Sequence, residues 1–186
     1  MRGLGEAERG CGLGGVPARR RQYNYFRESK TMISYEEQFT KLGYSFGEAQ
    51  APGPMMDAVV IDGETAYASG QVPFEGKTLR GVGKVPSQVS LSEASECAAL
   101  CALNVLRAVR HAVGSLDRIE RVLRITGYVN ADPTFTEAHL VINGASQLVM
   151  NVFGSAGRHA RTALGLAQLP LGVCVEVEMI LKLKSK

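Results

Sequence analysis

Residues 158–184, RHARTALGLAQLPLGVCVEVEMILKLK, contain the clearest β-strand pattern of the chain. The pattern predicts a strand over residues 162–169, a turn at residues 170–172 and a second strand over residues 173–184. In the second strand apolar and polar residues alternate, which is typical of a strand with one buried and one exposed face. Glu176 lies on the polar face of this strand.

A simple hairpin about residues 170–172 would place Glu176 opposite Gly165. Arg161 would then lie four residues further along the sheet, or about 13 Å away. A site that uses both Arg161 and Glu176 would therefore need a bend in the sheet or a neighbouring subunit.

Other β segments precede this stretch. Residues 57–61 and 65–69 are separated by Asp62-Gly63-Glu64, a sequence that favours a hairpin. A short strand is predicted around residues 78–82, and a longer one over residues 121–130.

Three helices are predicted between the strands. Ser34 and Ser90 each stand three residues before a glutamate, which is the spacing of a capping box at a helix start. After Ser90, apolar residues recur at spacings of three and four as far as Gly114, the pattern of a long amphipathic helix. Another helix is predicted from about residue 136 to residue 153.

This order of elements predicts an α+β fold with a mostly antiparallel sheet and two helices packed on one face. The other sheet face would then need cover, which a homo-oligomer could supply. Residues 32–186 are predicted to form a single domain that begins with the short helix. Residues 1–31, rich in Gly and Arg, are predicted to be a disordered leader.

The formal net charge of +3 belongs to the amino-terminal segment. Residues 1–31 contain seven basic and three acidic residues, so the remaining chain sums to −1. A nucleic-acid partner is therefore disfavoured. No apolar stretch is long enough to span a bilayer, so no membrane partner is expected. We expect a soluble, cytoplasmic protein; mitochondrial or other organellar targeting by residues 1–31, or translation from Met32, are the alternatives.

The usual catalytic and metal-binding signatures are absent. The sequence has no GxSxG, HExxH, CxxC or P-loop motif, and its three histidines have no metal-ligand spacing. We therefore expect no metal. The four cysteines, which we interpret as small buried apolar residues in a reducing compartment rather than as redox or metal sites, are Cys11, Cys97, Cys101 and Cys174.

Arg161 is the strongest candidate for binding chemistry. An arginine at the start of a nearly uncharged strand presents a planar, permanently charged fork that suits a carboxylate. The alternatives are that Arg161 is solvated or pairs with a structural carboxylate, and Arg158 is interpreted as an exposed charge. Glu176 and Glu178 could be functional residues, or they could simply form the polar face of an edge or interface strand. Gly70, at the end of a strand, suits the close approach of a ligand.

Four parts of the sequence together resemble the YjgF family, also called reactive-intermediate deaminases (Rid) or endoribonuclease L-PSP: residues 69–73, Asn143, residues 160–170 and residues 175–178. The likeness covers about residues 50–184. Residues 101–104, 141–146 and 159–165 are further similar to a YjgF-like subgroup with an extra amino-terminal helix.

The resemblance implies a chorismate-mutase-like fold, a homotrimer and ligand clefts between subunits. It also implies hydrolysis of reactive 2-imino or enamine acids to 2-keto acids and ammonia, without a cofactor. In this scheme Arg161 binds the substrate carboxylate, and Glu176 orients the attacking water and exchanges protons with it. The implied substrate-binding residues are Ser69, Gly70, Asn143, Thr162 and Ala163.

Two positions depart from the family pattern. Ala163 stands where the well-known deaminases have an active-site cysteine, and Met55 stands where they have a tyrosine. The pocket shape must therefore differ, and the alternative function is a non-catalytic protein of the same fold that binds or senses a small carboxylate. A third hypothesis is an RNA-acting protein, which the near-neutral domain disfavours.

Overall fold

A computed structural model describes residues 33–47 and 49–185. The predicted leader, and Cys11 within it, lie outside the described residues. The helices and strands are α1 (Tyr35–Lys41), β1 (Val59–Asp62), β2 (Thr65–Gln71), β3 (Phe74–Glu75), β4 (Thr78–Leu79), α2 (Leu91–Val113), β5 (Ile119–Asn130), α3 (Ala138–Phe153), β6 (Ala160–Leu166) and β7 (Val175–Leu183).

Five of the strands form one sheet in the order β1-β2-β7-β5-β6. Every neighbouring pair is antiparallel except β5 and β6, which run parallel with α3 as the crossover. Strands β3 and β4 form a separate small hairpin. The predicted α+β class with a mostly antiparallel sheet is confirmed.

The simple hairpin of the last two strands is wrong, because β5 lies between them. Tyr128 in β5 pairs with Leu164 on one side and with Glu176 on the other. After the turn at residues 170–172 the chain bonds to a different segment: the Cys174 amide donates to the Gly81 carbonyl over 2.7 Å. Local alternation of residues sets which way side chains point, but it does not select the neighbouring strand.

Helices α2 and α3 cover one face of the sheet. The β7 side chains beneath them are fully or almost fully buried, and they are Val175, Val177, Met179, Leu181 and Leu183. Glycines permit close packing in this layer. A Cβ at Gly127 would collide with the Ile142 side chain, and one at Gly144 would collide with the backbone carbonyl of Ser95. The two helices and the sheet therefore share one dense core.

The capping signals for two helices hold in the structure. The Ser34 hydroxyl accepts from the Glu37 amide over 3.1 Å, and the Ser34 amide donates to the Glu37 carboxylate over 2.9 Å, which completes the capping box. The Ser90 hydroxyl likewise accepts from the amide three residues later. Helix α2 ends at Gly114, whose φ of 87° is favourable only for glycine.

The second sheet face is open. Alternate residues of β7, among them Glu176 and Glu178, point to this side. Large apolar side chains also stand exposed there, including Tyr67 (46% exposed) and Leu164 (44% exposed). No described element covers this face. Of the helices in the described part of the chain, none is long and apolar enough to cross a membrane.

Candidate functional site

Arg161 lies on β6, at one edge of the sheet. It pairs with Ile125, a core residue, so its side chain points to the helix face. Its Nη1 donates to the Asn143 amide oxygen over 2.8 Å and to the Ser146 hydroxyl over 3.1 Å, both on α3. These residues and His159 are named the arginine cluster. The helix thus supplies two oxygen acceptors that orient the guanidinium.

His159 completes this hydrogen-bond chain. Its Nδ1 lies 2.6 Å from the Gly157 carbonyl oxygen, and its Nε2 lies 3.0 Å from the Ser146 hydroxyl. Because a carbonyl can only accept, Nδ1 carries the proton, and Nε2 of the neutral ring accepts from the Ser146 hydroxyl. The Ser146 oxygen then remains free to accept from Arg161. The chain of donors therefore runs from Arg161 through Ser146 and His159 to the Gly157 carbonyl.

Burial lowers the pKa of His159. The carbonyl of Gly157 partly opposes this effect, and the positive charge of Arg161 adds to it. Both burial and the neighbouring charge favour the neutral ring, which is the form that the hydrogen-bond chain requires. Electrostatics and geometry thus agree that the His159 ring is neutral and carries its proton on Nδ1.

A second cluster lies where β2, β7 and β5 meet. Ser69 and Gly70 form an irregularity in β2, between its pairing with Met179 and its pairing with Val177. A Cβ at Gly70 would overlap the Glu176 carboxylate, so the missing side chain is what admits this carboxylate. We name Ser69, Gly70, Glu176, Glu178 and Tyr128 the glutamate cluster.

The environment of Glu176 favours its protonated form. Partial burial raises the pKa of Glu176, and the negative charge of Glu178 raises it further. The Tyr128 hydroxyl donates to the Glu178 carboxylate over 3.1 Å and so fixes that neighbour. A carboxyl group with a raised pKa can both donate and accept a proton closer to neutral pH.

The two clusters are separate within one chain. Glu176 pairs with Tyr128 and points to the open face, whereas Arg161 pairs with Ile125 and points to the helix face. The β5 residues with which they pair are three positions apart, or about 10 Å along the strand. Strand β5 itself lies between β6, which contains Arg161, and β7, which contains Glu176. The arginine cluster and the glutamate cluster are therefore separate groups of residues within one chain.

The other predicted site residues divide between the two faces. Ala163 shares the helix face with Arg161 and is partly buried against the core. Thr162 points to the open face, where its hydroxyl accepts from Arg124 over 2.7 Å. The Ser69 hydroxyl donates to the Asp57 carbonyl over 2.7 Å. Met55 is 97% exposed.

Sequence reasoning missed Ser146, His159 and Tyr128 as members of these clusters. Two of them carry a usable signal, since Ser146 follows Asn143 by three residues on a helix and His159 precedes Arg161 by two. Such spacings bring side chains to a common face. Within the described ranges, no group of three or more His, Cys, Asp or Glu side chains could hold a metal ion.

Comparison with known proteins identifies one family. The family model described as "YjgF/chorismate mutase-like, putative endoribonuclease" matches residues 36–183. A curated relative, Protein TCP17 of Trypanosoma cruzi, is 38% identical over 146 residues, which are 78% of this chain and 91% of that protein.

Solved structures agree with this result. Protein Atu1372 of Agrobacterium tumefaciens, whose function is described as unknown, is 38% identical with a TM-score of 0.74, over 81% of this chain and 94% of that one. A "putative endoribonuclease" from Shewanella oneidensis MR-1 is 27% identical with a TM-score of 0.78, over 81% of this chain and all of that one. The fold predicted from the resemblance is supported by both.

The environment of His159 leads to a prediction about its titration. In NMR titrations the His159 ring should gain its proton at a lower pH than an unperturbed histidine. Unfolded histidine has a pKa of about 6.5, so the unfolded chain binds this proton first as the pH falls. The free energy of unfolding should therefore decrease below about pH 6.5.

Replacing His159 with Gln should reduce this pH-dependent loss of stability, measured by urea unfolding between pH 7.5 and pH 5. His139→Gln, at an exposed histidine, is the matched control for the substitution. A His159 ring that titrates at or above about pH 6.5 would contradict the prediction.

Proposed function

The chain belongs to the YjgF/chorismate mutase-like family, and on this premise we propose that it hydrolyses 2-imino or enamine acids to 2-keto acids and ammonia. In this proposal the reaction takes place in clefts between the subunits of a homotrimer. Arg161 binds the substrate carboxylate, and Glu176 manages the proton transfers.

The observation that carries this proposal is the state of Arg161. Its guanidinium is oriented by two neutral acceptors, the Asn143 amide and the Ser146 hydroxyl. Among the residues that the structure describes, no carboxylate lies within ion-pair distance of it. A preoriented, permanently charged fork without an anionic partner suits a carboxylate ligand.

The proposed chemistry requires little of the protein beyond positioning. A water molecule adds to C2 of the imino acid while the Glu176 carboxylate accepts one of its protons. Glu176 passes this proton to the nitrogen, which gives a carbinolamine. The C–N bond then breaks as the hydroxyl proton of the carbinolamine passes through Glu176 to the departing nitrogen, and the products are the keto acid and ammonia. The raised pKa of Glu176 suits this exchange, because it makes the carboxylate a stronger base than an unperturbed glutamate.

The separation of the two clusters supports an assembled site. Because Arg161 and Glu176 lie on opposite faces of one sheet, a cleft that uses both of them requires two chains. The open face offers apolar area for such an assembly, including Tyr67 and Leu164. Burial of this area would contribute about 25 cal/mol for each Å² removed from water.

Loss of the Arg161 charge should weaken catalysis strongly. We expect Arg161→Ala to lower kcat/KM about 100-fold, since hydrogen bonds to a charged group contribute up to about 3 kcal/mol. The assay follows the decay of an imino acid that an amino-acid oxidase generates in the cuvette. Arg158→Ala, which removes an exposed arginine three residues away, is the matched control and should retain activity.

Three outcomes of this experiment are distinguishable. Equal activity in the wild type and in Arg161→Ala would refute the assigned role of the arginine. Keto-acid binding that depends on Arg161, without any turnover, would identify a binding or sensing protein instead. RNA cleavage by the wild type that persists in Arg161→Ala would place the activity elsewhere on the chain.

A substitution at Gly70 tests whether the position of the Glu176 carboxylate matters for activity. A methyl group at this position would displace the Glu176 carboxylate, which is the movable end of a side chain, rather than the backbone. We therefore expect Gly70→Ala to lower kcat strongly while the melting temperature changes little. Gly53→Ala, where a Cβ would meet only ordinary contacts with Met56, is the control. Full activity of Gly70→Ala would argue against a role for this carboxylate.

The open face provides a test of the assembly. Leu164→Glu places a charge on this face and should convert the trimer to monomers in sedimentation, with loss of activity and an unchanged far-UV spectrum. Leu42→Glu, at a residue of similar exposure at the end of α1, should leave the trimer intact. A monomeric wild type, or a Leu164→Glu protein that remains trimeric, would contradict the proposed assembly.

A further inference from the structure

Three cysteines lie buried on the helix side of the sheet. Cys97 and Cys101 are on α2, and Cys174 directly precedes β7; all three are free thiols. The prediction that these cysteines are buried is confirmed. Cys97 and Cys174 are far apart in sequence, but the fold brings their sulfur atoms together beneath Gly81.

The geometry at Gly81 defines this pair. A Cβ at Gly81 would lie 2.6 Å from the Cys97 sulfur and 2.7 Å from the Cys174 sulfur. Because both sulfurs are so near to a single point, they are direct neighbours. The Gly81 carbonyl also accepts a hydrogen bond from the Cys174 amide over 2.7 Å, and this bond holds Cys174 in place. A side chain at residue 81 would occupy the space that both thiols border.

The two thiols differ in acidity. A hydrogen bond from Cys174 lowers the pKa of Cys97. Burial and the negative charges of Glu93 and Glu96 oppose this shift, and the positive charge of Arg80 adds to it. The same hydrogen bond raises the pKa of Cys174, and burial raises it further. Cys97 is therefore the nucleophilic member of the pair, and Cys174 is its proton donor.

Small molecules have a route to Cys97. This residue lines a cavity of about 260 Å³. The exposed pair of Arg80 and Glu75, joined at 2.7 Å, stands at the same cavity. Cys101, one helical turn further along α2, is completely buried and directs its thiol to the Val175 carbonyl at 3.7 Å.

We propose that Cys97 and Cys174 are a redox-active dithiol, which hydrogen peroxide or a related small hydroperoxide converts reversibly to a disulfide. The Cys97 thiolate attacks one peroxide oxygen, the O–O bond breaks, and the departing hydroxide takes up a proton to form water. The Cys174 sulfur then attacks the sulfenic acid at Cys97, the S–O bond breaks, and a second water leaves with the thiol proton. Two thiols lose two electrons in total, and one peroxide is reduced to two waters.

The bond would join α2 to the chain two residues before Glu176. It would therefore connect the helix layer to the strand that contributes the glutamate cluster. The redox proposal does not depend on the proposed deaminase function, because its readout is the covalent state of the cysteines.

Peptide mapping of the full chain tests this proposal. The native protein is treated with hydrogen peroxide, its remaining thiols are alkylated, and its peptides are analysed by mass spectrometry. We expect a Cys97–Cys174 linked peptide that dithiothreitol removes, while Cys101 remains alkylated. In the Cys174→Ser variant, dimedone should label Cys97 as a sulfenic acid, and Arg80→Ala should slow oxidation of the wild-type pair severalfold.

Two results would overturn the proposal. The first is incorporation of Cys101 into disulfides as readily as Cys174, which would show nonspecific oxidation. The second is the absence of the Cys97–Cys174 link at a peroxide dose that oxidises Met55, whose exposed sulfur serves as an internal measure of the dose. The mapping of the wild type does not require any variant to fold.

Discussion

The pairing of β5 with both β6 and β7 is the constraint on which the rest of the structure depends. A parallel neighbour on one side and an antiparallel neighbour on the other fix the rows in which Arg161 and Glu176 stand. Side chains alternate strictly along each strand, so this register also fixes their faces. A shift of one residue on either side would move one of these groups through the sheet.

The two faces of this sheet have different physical roles. The helix face is filled by a dense core and contains the arginine cluster at its edge. There α3 supplies two neutral acceptors, and His159, which directly precedes β6, has a pKa that burial lowers. The open face combines exposed apolar side chains with Glu176, whose pKa is raised by burial and further by the charge of Glu178. Arg161 and Glu176 are thus kept apart within one chain.

The helix side of the sheet also contains a pair of neighbouring thiols. Cys97 and Cys174 share the space beneath Gly81, and the glycine belongs to a loop that also bonds to the start of β7. The segment that follows the turn at residues 170–172 therefore bonds to this loop and not to β6. The contact that redirects the chain after residue 172 is also the one that brings the two thiols together.

Local sequence patterns were sufficient to predict the three helices, the caps of α1 and α2, the longer strands and the buried side of β7, because these features depend on residues within a few positions of one another. The two-residue strand β3 was not predicted. The residue patterns also indicated Arg161 and Gly70 as candidates, and the resemblance added Asn143 and assigned roles to Arg161 and Glu176. Only the tertiary structure decided that β5 separates the last two strands, that Ser146 and His159 orient Arg161, and that Cys97 meets Cys174. Those arrangements depend on pairing and packing between distant segments, and a local pattern of apolar and polar residues is compatible with several such partners.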